Sequence, residues 1–497
     1  MISTSATMRD DSLFSRRTWI ESLALSFPAF RSVRLPPMPP QQQPGQPYAS
    51  IRDYGAVGDG TTDDAAALLK GLDATRASGA TLFLPPGRYR CGRLIQAKTP
   101  CRIAGAGEQS QLVFDRDLPF GPPFRSLFIE GPRGAASGED SCQLRDFALT
   151  GHSNGPEGRA TNELLAGIGV QYVSGHLDGL TVRQSWGMAI VYHACHDLTI
   201  QRCHVVRSGR DGITGFWKNQ RVWIMDNVIQ EPGDDGIALN AADEKVGGSL
   251  AEDIYIARNQ IENGRFFGRG IYLAGVGRAH VVDNSVRSVV SSGIAVTPSL
   301  LTDARSTDVE IIGNRVSYVG AAESQQPLVG IRLDSSDRVR ILNNVVEASG
   351  TEGVFALHCG DVVLSGNSIA RWGRTKSAPA LDFRSIQRLT IMGNHVADGS
   401  GPGILLEAPA TARVLGNFIT TDHPNLLQVR GAVSDAIACG NLFVCTHADL
   451  RTAFDAETAG GEAFVLAANT IITAKGSRRE FHPALRVSSN DVVDSER

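Results

Sequence analysis

Three aspartates sit at matching offsets in neighbouring copies of a short repeat. Asp211 precedes Gly212-Ile213, and Asp234-Asp235 precede Gly236-Ile237. The residue before each such glycine forms a column that reads Trp186, Asp211, Asp235, Arg269, Ser292, Val329 and Glu352. If the copies stack as β-coils about 4.8 Å apart, the three carboxyls meet in one patch. Carboxylates that close repel, so at least one pKa must rise. A protonated carboxyl beside an ionised one is what hydrolysis of a glycosidic bond needs. Asp211, Asp234 and Asp235 are therefore the candidate catalytic residues. Carboxyls about 6.5–9.5 Å apart would leave room for a water and imply inversion. The same Asp-Gly pairs are also ordinary turn chemistry, which is the bland alternative.

Seven further residues are candidates for substrate contact. Arg269 lies one coil beyond Asp235 and could grip a sugar carboxylate through both guanidinium nitrogens; a salt bridge to Asp235 is the alternative. Phe216, Asn240 and Tyr272 occupy outward positions on the same strands, with Trp217 and Lys218 just beyond. Aromatic rings beside polar groups suit sugar binding, although each alone is more often packing. His193 and Lys218 fall at one offset in adjacent coils and are expected to flank the site. A neutral structural role for His193 is the alternative to a base.

What positions these residues is a repeat. Asn recurs between apolar residues at Asn227, Asn259, Asn284, Asn314, Asn344, Asn367, Asn394, Asn417, Asn441 and Asn469, at intervals of 23 to 32 residues. Asn tolerates the left-handed backbone of a tight turn. Stacked asparagines can also hydrogen-bond from coil to coil. One coil alone cannot bury its apolar face, but a stack can. The pattern predicts an all-β, single-stranded parallel β-helix of about twelve coils, with residues 49–475 as the folded body and 476–497 as a tail. Insertions at about 240–248 and 298–306 follow Gly-led strands and are expected to wall a groove.

The rest of the chain narrows the class. Net charge is −4, and no basic stripe marks a nucleic-acid partner. No apolar run reaches the ~18 residues of a membrane span. Eight cysteines include no CxxC, so no structural zinc site is expected, and Cys439 with Cys445 is the first pair to test for a disulfide. Residues 1–48 read as a leader and a Pro/Gln linker. Ser15-Arg16-Arg17-Thr18-Trp19-Ile20, followed by a modest apolar run, resembles a twin-arginine export signal, which predicts a periplasmic or extracellular protein.

Residues 51–90 combine Asp59, a helix start at Asp63-Asp64-Ala65-Ala66, and the turn Leu84-Pro85-Pro86-Gly87. This segment resembles the N-terminal cap of the pectate-lyase-like superfamily, which includes polygalacturonases, rhamnogalacturonases, related lyases and epimerases, and phage tailspikes. The resemblance implies a right-handed parallel β-helix with an N-terminal helical cap. Arg210-Asp211-Gly212-Ile213 stands where polygalacturonases have Asn-Thr-Asp-Gly-Ile, and Gly233-Asp234-Asp235-Gly236-Ile237 resembles their Gly-Asp-Asp-Cys-Ile. By that resemblance Asp234 is the general acid, and Asp211 with Asp235 holds the water. The family's Gly-His-Gly appears as Gly268-Arg269-Gly270, and its Arg-Ile-Lys has no counterpart in Ser292-Gly293-Ile294-Ala295. Both departures weaken a galacturonan substrate.

The preferred expectation is an inverting glycoside hydrolase acting on a polysaccharide or oligosaccharide. The runner-up is a lyase or uronate C5-epimerase, with Lys218 or Arg269 near the α-proton. A non-catalytic carbohydrate-binding or surface β-helix is the third reading. No cofactor and no metal are expected, and calcium would enter only with a lyase. The expected state is a monomer, with a trimer as the alternative.

Overall fold

A computed structural model describes residues 47–494, apart from 116–117, 119–124, 135–137, 152–165, 242–249, 301, 321–326, 446–449, 458–463, 474–479 and 482–484. The leader, most of the linker and most of the first insertion lie outside the described residues. The rest is a stack of parallel strands. Each coil pairs in register with the one before and the one after. One sheet holds the Gly-led strands, among them Ile213–Phe216, Ile237–Asn240, Ile271–Ala274 and Ile294–Thr297.

This sheet has fourteen described strands, from Ile95–Lys98 to Phe454–Glu457, against the twelve or so coils expected. The two additional strands, Ile95–Lys98 and Arg125–Glu130, lie N-terminal to the residues that carry the repeat pattern. The stack also runs past residue 475. Leu485–Ser488 pairs with Phe464–Ala467, and Asp491–Asp494 pairs with Thr470–Thr473. The segment set apart as a tail therefore continues the helix.

The core is a file of branched side chains. Ile190, Ile213, Ile237, Ile271, Ile294 and Ile331 stack inward at one position and are fully buried. The preceding glycines have a steric reason. A Cβ on Gly270 would come 2.2 Å from Val286, and one on Gly293 would come 2.2 Å from Val316. The coil is too flattened there to hold any side chain between its opposing walls.

The ten asparagines form a single buried file, as their spacing predicts. Each Nδ2 donates to Oδ1 of the next; Asn259 to Asn284, Asn314 to Asn344 and Asn441 to Asn469 span 2.8–3.0 Å. Asn490 extends the file by one rung.

At the N-terminal end the helix Ala65–Ser78 buries Leu68 and Leu72 in the core. Asp63 accepts from the Ala65 amide at 3.1 Å and from the Gly92 amide at 3.0 Å. Asp64 stands at the cap position, but its carboxylate instead holds the Val57 and Gly58 amides at 2.7 and 3.0 Å. These aspartates thus serve the cap. Cys439 is free, so the Cys439–Cys445 disulfide is not formed.

Candidate active site

The column read from the sequence is joined by backbone hydrogen bonds. Gly212 N donates to Asp235 O, Gly236 N to Arg269 O, and Gly270 N to Ser292 O, at 2.9–3.1 Å. Asp211, Asp235, Arg269 and Ser292 are therefore neighbours on successive coils. Trp186 is not their continuation. Ala189 N donates to Asp211 O, which makes Ala189 the equivalent of Gly212 and moves the column onto Met188.

Asp211, Asp234 and Asp235 are all buried, at 4–6% exposure. One carboxylate oxygen from each lies within 4.8 Å of the other two. This is tighter than the roughly 6.5–9.5 Å spacing expected of an inverting pair. It still suits a shared water, because two hydrogen bonds of about 2.8 Å can bridge such a gap.

The three carboxyls are held unequally. Asp211 accepts from the Thr214 hydroxyl at 2.8 Å and the Asp235 amide at 3.3 Å. Asp235 Oδ1 accepts from the Arg269 amide at 2.6 Å and from its Nε at 3.0 Å. Asp234 Oδ2 accepts from Arg210 at 3.0 Å, while its buried Oδ1 has no partner. Burial raises the pKa of all three, and mutual repulsion adds to the rise at Asp211 and Asp234. Asp211 is pushed up to about 6 and Asp234 to about 8. At Asp235 the Arg269 cation opposes the rise.

This cluster is the one grouping among the described residues with the spacing of a metal site. Two guanidinium groups already point into it.

Arg269 forms the salt bridge to Asp235 that was the alternative to a substrate clamp. Its guanidinium also lies over the Tyr272 ring, 3.7 Å from the centroid. Tyr272 is 5% exposed, and its hydroxyl accepts from Thr297 at 3.1 Å. Arg269 and Tyr272 thus join the aspartates.

The other candidates gather at the opposite end of the strands. Phe216 lies five residues from Asp211, roughly 16 Å along an extended chain. Phe216 pairs in register with both His193 and Asn240. The shared offset assigned to His193 and Lys218 is therefore wrong: Phe216 is the partner of His193, and Lys218 is exposed two residues further on. The His193 ring stacks on Phe216 at 5.2 Å and meets Trp217 edge-on at 4.8 Å.

His193 Nε2 lies 3.0 Å from Arg125 Nη2, and a guanidinium can only donate, so the imidazole is neutral there. Burial and the Arg125 charge hold its pKa down at about 3. This environment does not favour a base. Arg125 and Arg210 escaped the sequence reading. Arg210 was legible: it precedes Asp211 as Asp234 precedes Asp235, so the two must face each other across coils.

Three family profiles match parts of the chain. Residues 48–117 match rhamnogalacturonase A/epimerase, pectate lyase-like; residues 166–300 match the right handed beta helix region; residues 252–433 match periplasmic copper-binding protein (NosD). A pre-neck appendage protein of Bacillus phage B103 is 29% identical over 199 residues, covering 38% of this chain and 21% of that protein. Mannuronan C5-epimerase AlgE6 of Azotobacter vinelandii is 26% identical over 221 residues, covering 42% and 22%. The chain thus spans about a fifth of the length of these curated relatives. Among solved structures, the catalytic unit of a GH87 alpha-1,3-glucanase from Streptomyces thermodiastaticus strain HF3-3 superposes with a TM-score of 0.55 at 18% identity, covering 80% of this chain and 69% of that one. Cap, coils and superposition agree on the fold, a right-handed parallel β-helix whose N-terminal residues match a pectate lyase-like profile.

Proposed function

We propose that the protein is a carbohydrate-active enzyme that hydrolyses glycosidic bonds in a polysaccharide or oligosaccharide, with Asp234 as general acid. The carrying observation is the unequal hydrogen bonding of the three carboxyls. Asp211 and Asp235 each accept two hydrogen bonds, whereas Asp234 accepts one and keeps a buried oxygen without a partner. Donors favour the ionised form, so the cluster's proton belongs on Asp234. Asp234 then protonates the leaving oxygen. Asp211 and Asp235 hold a water and take its proton as it attacks. Displacement in one step inverts the anomeric centre.

A lyase or uronate C5-epimerase is the second reading, supported by the C5-epimerase relative. Here Lys218 would be the base, since Arg269 is engaged by Asp235. Export, suggested by the Arg16-Arg17 pair, is in keeping with the match to a family described as periplasmic.

The test is product chemistry on a panel of neutral and acidic polysaccharides. New reducing ends without the unsaturated-uronate absorbance support hydrolysis. Appearance of that absorbance supports a lyase, and retained binding without products supports a non-catalytic module. Loss of the products with Asp234→Asn ties them to the cluster.

A further inference from the structure

Arg210 has no part in the chemistry just described, yet it makes the ion pair to Asp234. Its backbone is fixed from both sides: its amide donates to Gly187 O and its carbonyl accepts from Gly233 N, each at 2.9 Å. Its side chain is 23% exposed, and Nη2 lies 3.0 Å from Asp234 Oδ2. The other oxygen, Oδ1, is buried and has no hydrogen-bond partner. The backbone of Gly268 packs onto that side of Asp234. A Cβ there would come 2.6 Å from Oδ1, and Gly268 has φ +114°. The carboxyl is thus pinned through one oxygen, while the other is covered on the side of Gly268, a residue that has no side chain.

Resting on the reading of Asp234 as the acid, we infer that Arg210 is a positioning residue: by holding Oδ2 it fixes the orientation of the carboxyl in the cluster and confines its resting proton to Oδ1. A guanidinium cannot share a proton with Oδ2, because it is a donor only. Protonation at Oδ2 would break the hydrogen bond from Arg210, whereas protonation at Oδ1 leaves that hydrogen bond in place. Arg269 plays a different part, since it binds Asp235 through both its amide and Nε. Among the described residues, the charged and titratable groups facing Asp234 are Arg210, Asp211, Asp235 and Arg269.

The test needs no substrate. Unfolding midpoints of the full chain are measured from pH 4 to pH 10 for wild type, Arg210→Gln, Arg210→Lys, Asp234→Asn and the Arg210→Gln/Asp234→Asn double variant. A carboxyl whose folded pKa is raised stabilises most below its unfolded pKa, and that stability is lost as pH rises through the folded value. In wild type the upper part of this decline should end near pH 8. Asp234→Asn should remove that upper part. Arg210→Gln should extend it upward by about one pH unit, a tenfold change in proton affinity. Arg210→Lys should restore it in part, and the double variant should match Asp234→Asn. An Arg210→Gln profile that ends where wild type ends, while Asp234→Asn still removes the upper part, overturns the role of Arg210 alone. An extension that persists in the double variant does the same, because Arg210 would then act through Asp211 or Asp235. An unchanged profile for Asp234→Asn removes the acid assignment, and the inference with it.

Discussion

Arg269 is held between Tyr272 and Asp235: its guanidinium lies 3.7 Å from the ring centroid, and its Nε donates to the carboxylate at 3.0 Å. One side chain thus joins the aspartate cluster to the aromatic residue on the next outward position. Removing the cation leaves Asp235, 4% exposed, buried without its partner. Arg269→Gln should therefore destabilise the fold by about 3 kcal/mol near neutral pH, on the scale of broken buried pairs. Without Arg269 the Asp235 pKa rises further, so the penalty should shrink toward pH 4. Urea unfolding at pH 5 and pH 8 checks both size and direction. An equal loss at the two pH values would contradict the pairing.

Turnover should follow a bell-shaped pH profile. The acid limb reports ionisation of the water-holding pair, with Asp211 near 6, and the alkaline limb reports loss of the Asp234 proton near 8. Because the three carboxyls interact, the limbs belong to the cluster as a whole. Asp234→Asn should lower kcat on the order of 10²-fold or more while the chain stays folded. Initial rates of reducing-end release across pH 4–10 check this. Wild-type turnover in Asp234→Asn would remove the acid from this cluster.

Ile237 sits in the file of inward isoleucines and is fully buried. Ile237→Asn puts an amide where no partner exists and should cost several kcal/mol, on the order of other buried-polar substitutions. A thermal melt measures it, and an unchanged midpoint would deny the inward orientation.

Asn314→Ala removes one rung of the ladder. Asn284 then loses the oxygen that both its backbone amide and its Nδ2 donate to, each at 2.9 Å. Each orphaned donor costs about 1–3 kcal/mol. Hydrogen exchange at the Asn284 amide should accelerate, whereas exchange at the distant Asn441 rung should stay as it was.

Replacing Arg16 and Arg17 with Lys should keep the protein in the cytoplasm if the pair is a twin-arginine signal. Fractionation of expressing cells decides it, and unchanged delivery to the periplasm would exclude that route.

The repeat was legible because every coil meets the same surroundings. An Asn that caps one turn is stacked on the Asn of the next, so the ladder can be counted from the sequence alone. The aspartate column was legible for the same reason, as equal offsets become adjacent positions. Gly187 misled, since it is not the equivalent of Gly212; Ala189 is, with a methyl group where Gly212 and Gly236 have none. Register follows the hydrogen bonds between coils, so a two-residue slip at Gly187 carried Trp186 out of line. Choosing Lys218 as the partner of His193 was a separate error of register. The closeness of the carboxyls and the Arg269–Tyr272 contact depend on side-chain geometry that offsets do not encode.

The strands that carry Asp211 and Asp235 are the fifth and sixth of the fourteen described in their sheet. In a solenoid each coil touches only its neighbours, so opening starts at an end and travels inward one coil at a time. From the N-terminal side it must peel off four strands of this sheet before reaching Ile213–Phe216, and from the C-terminal side eight before reaching Ile237–Asn240. Loosened ends are the commonest fluctuation of such a rod. The cluster is therefore insulated by distance from the motions that its own architecture makes easiest.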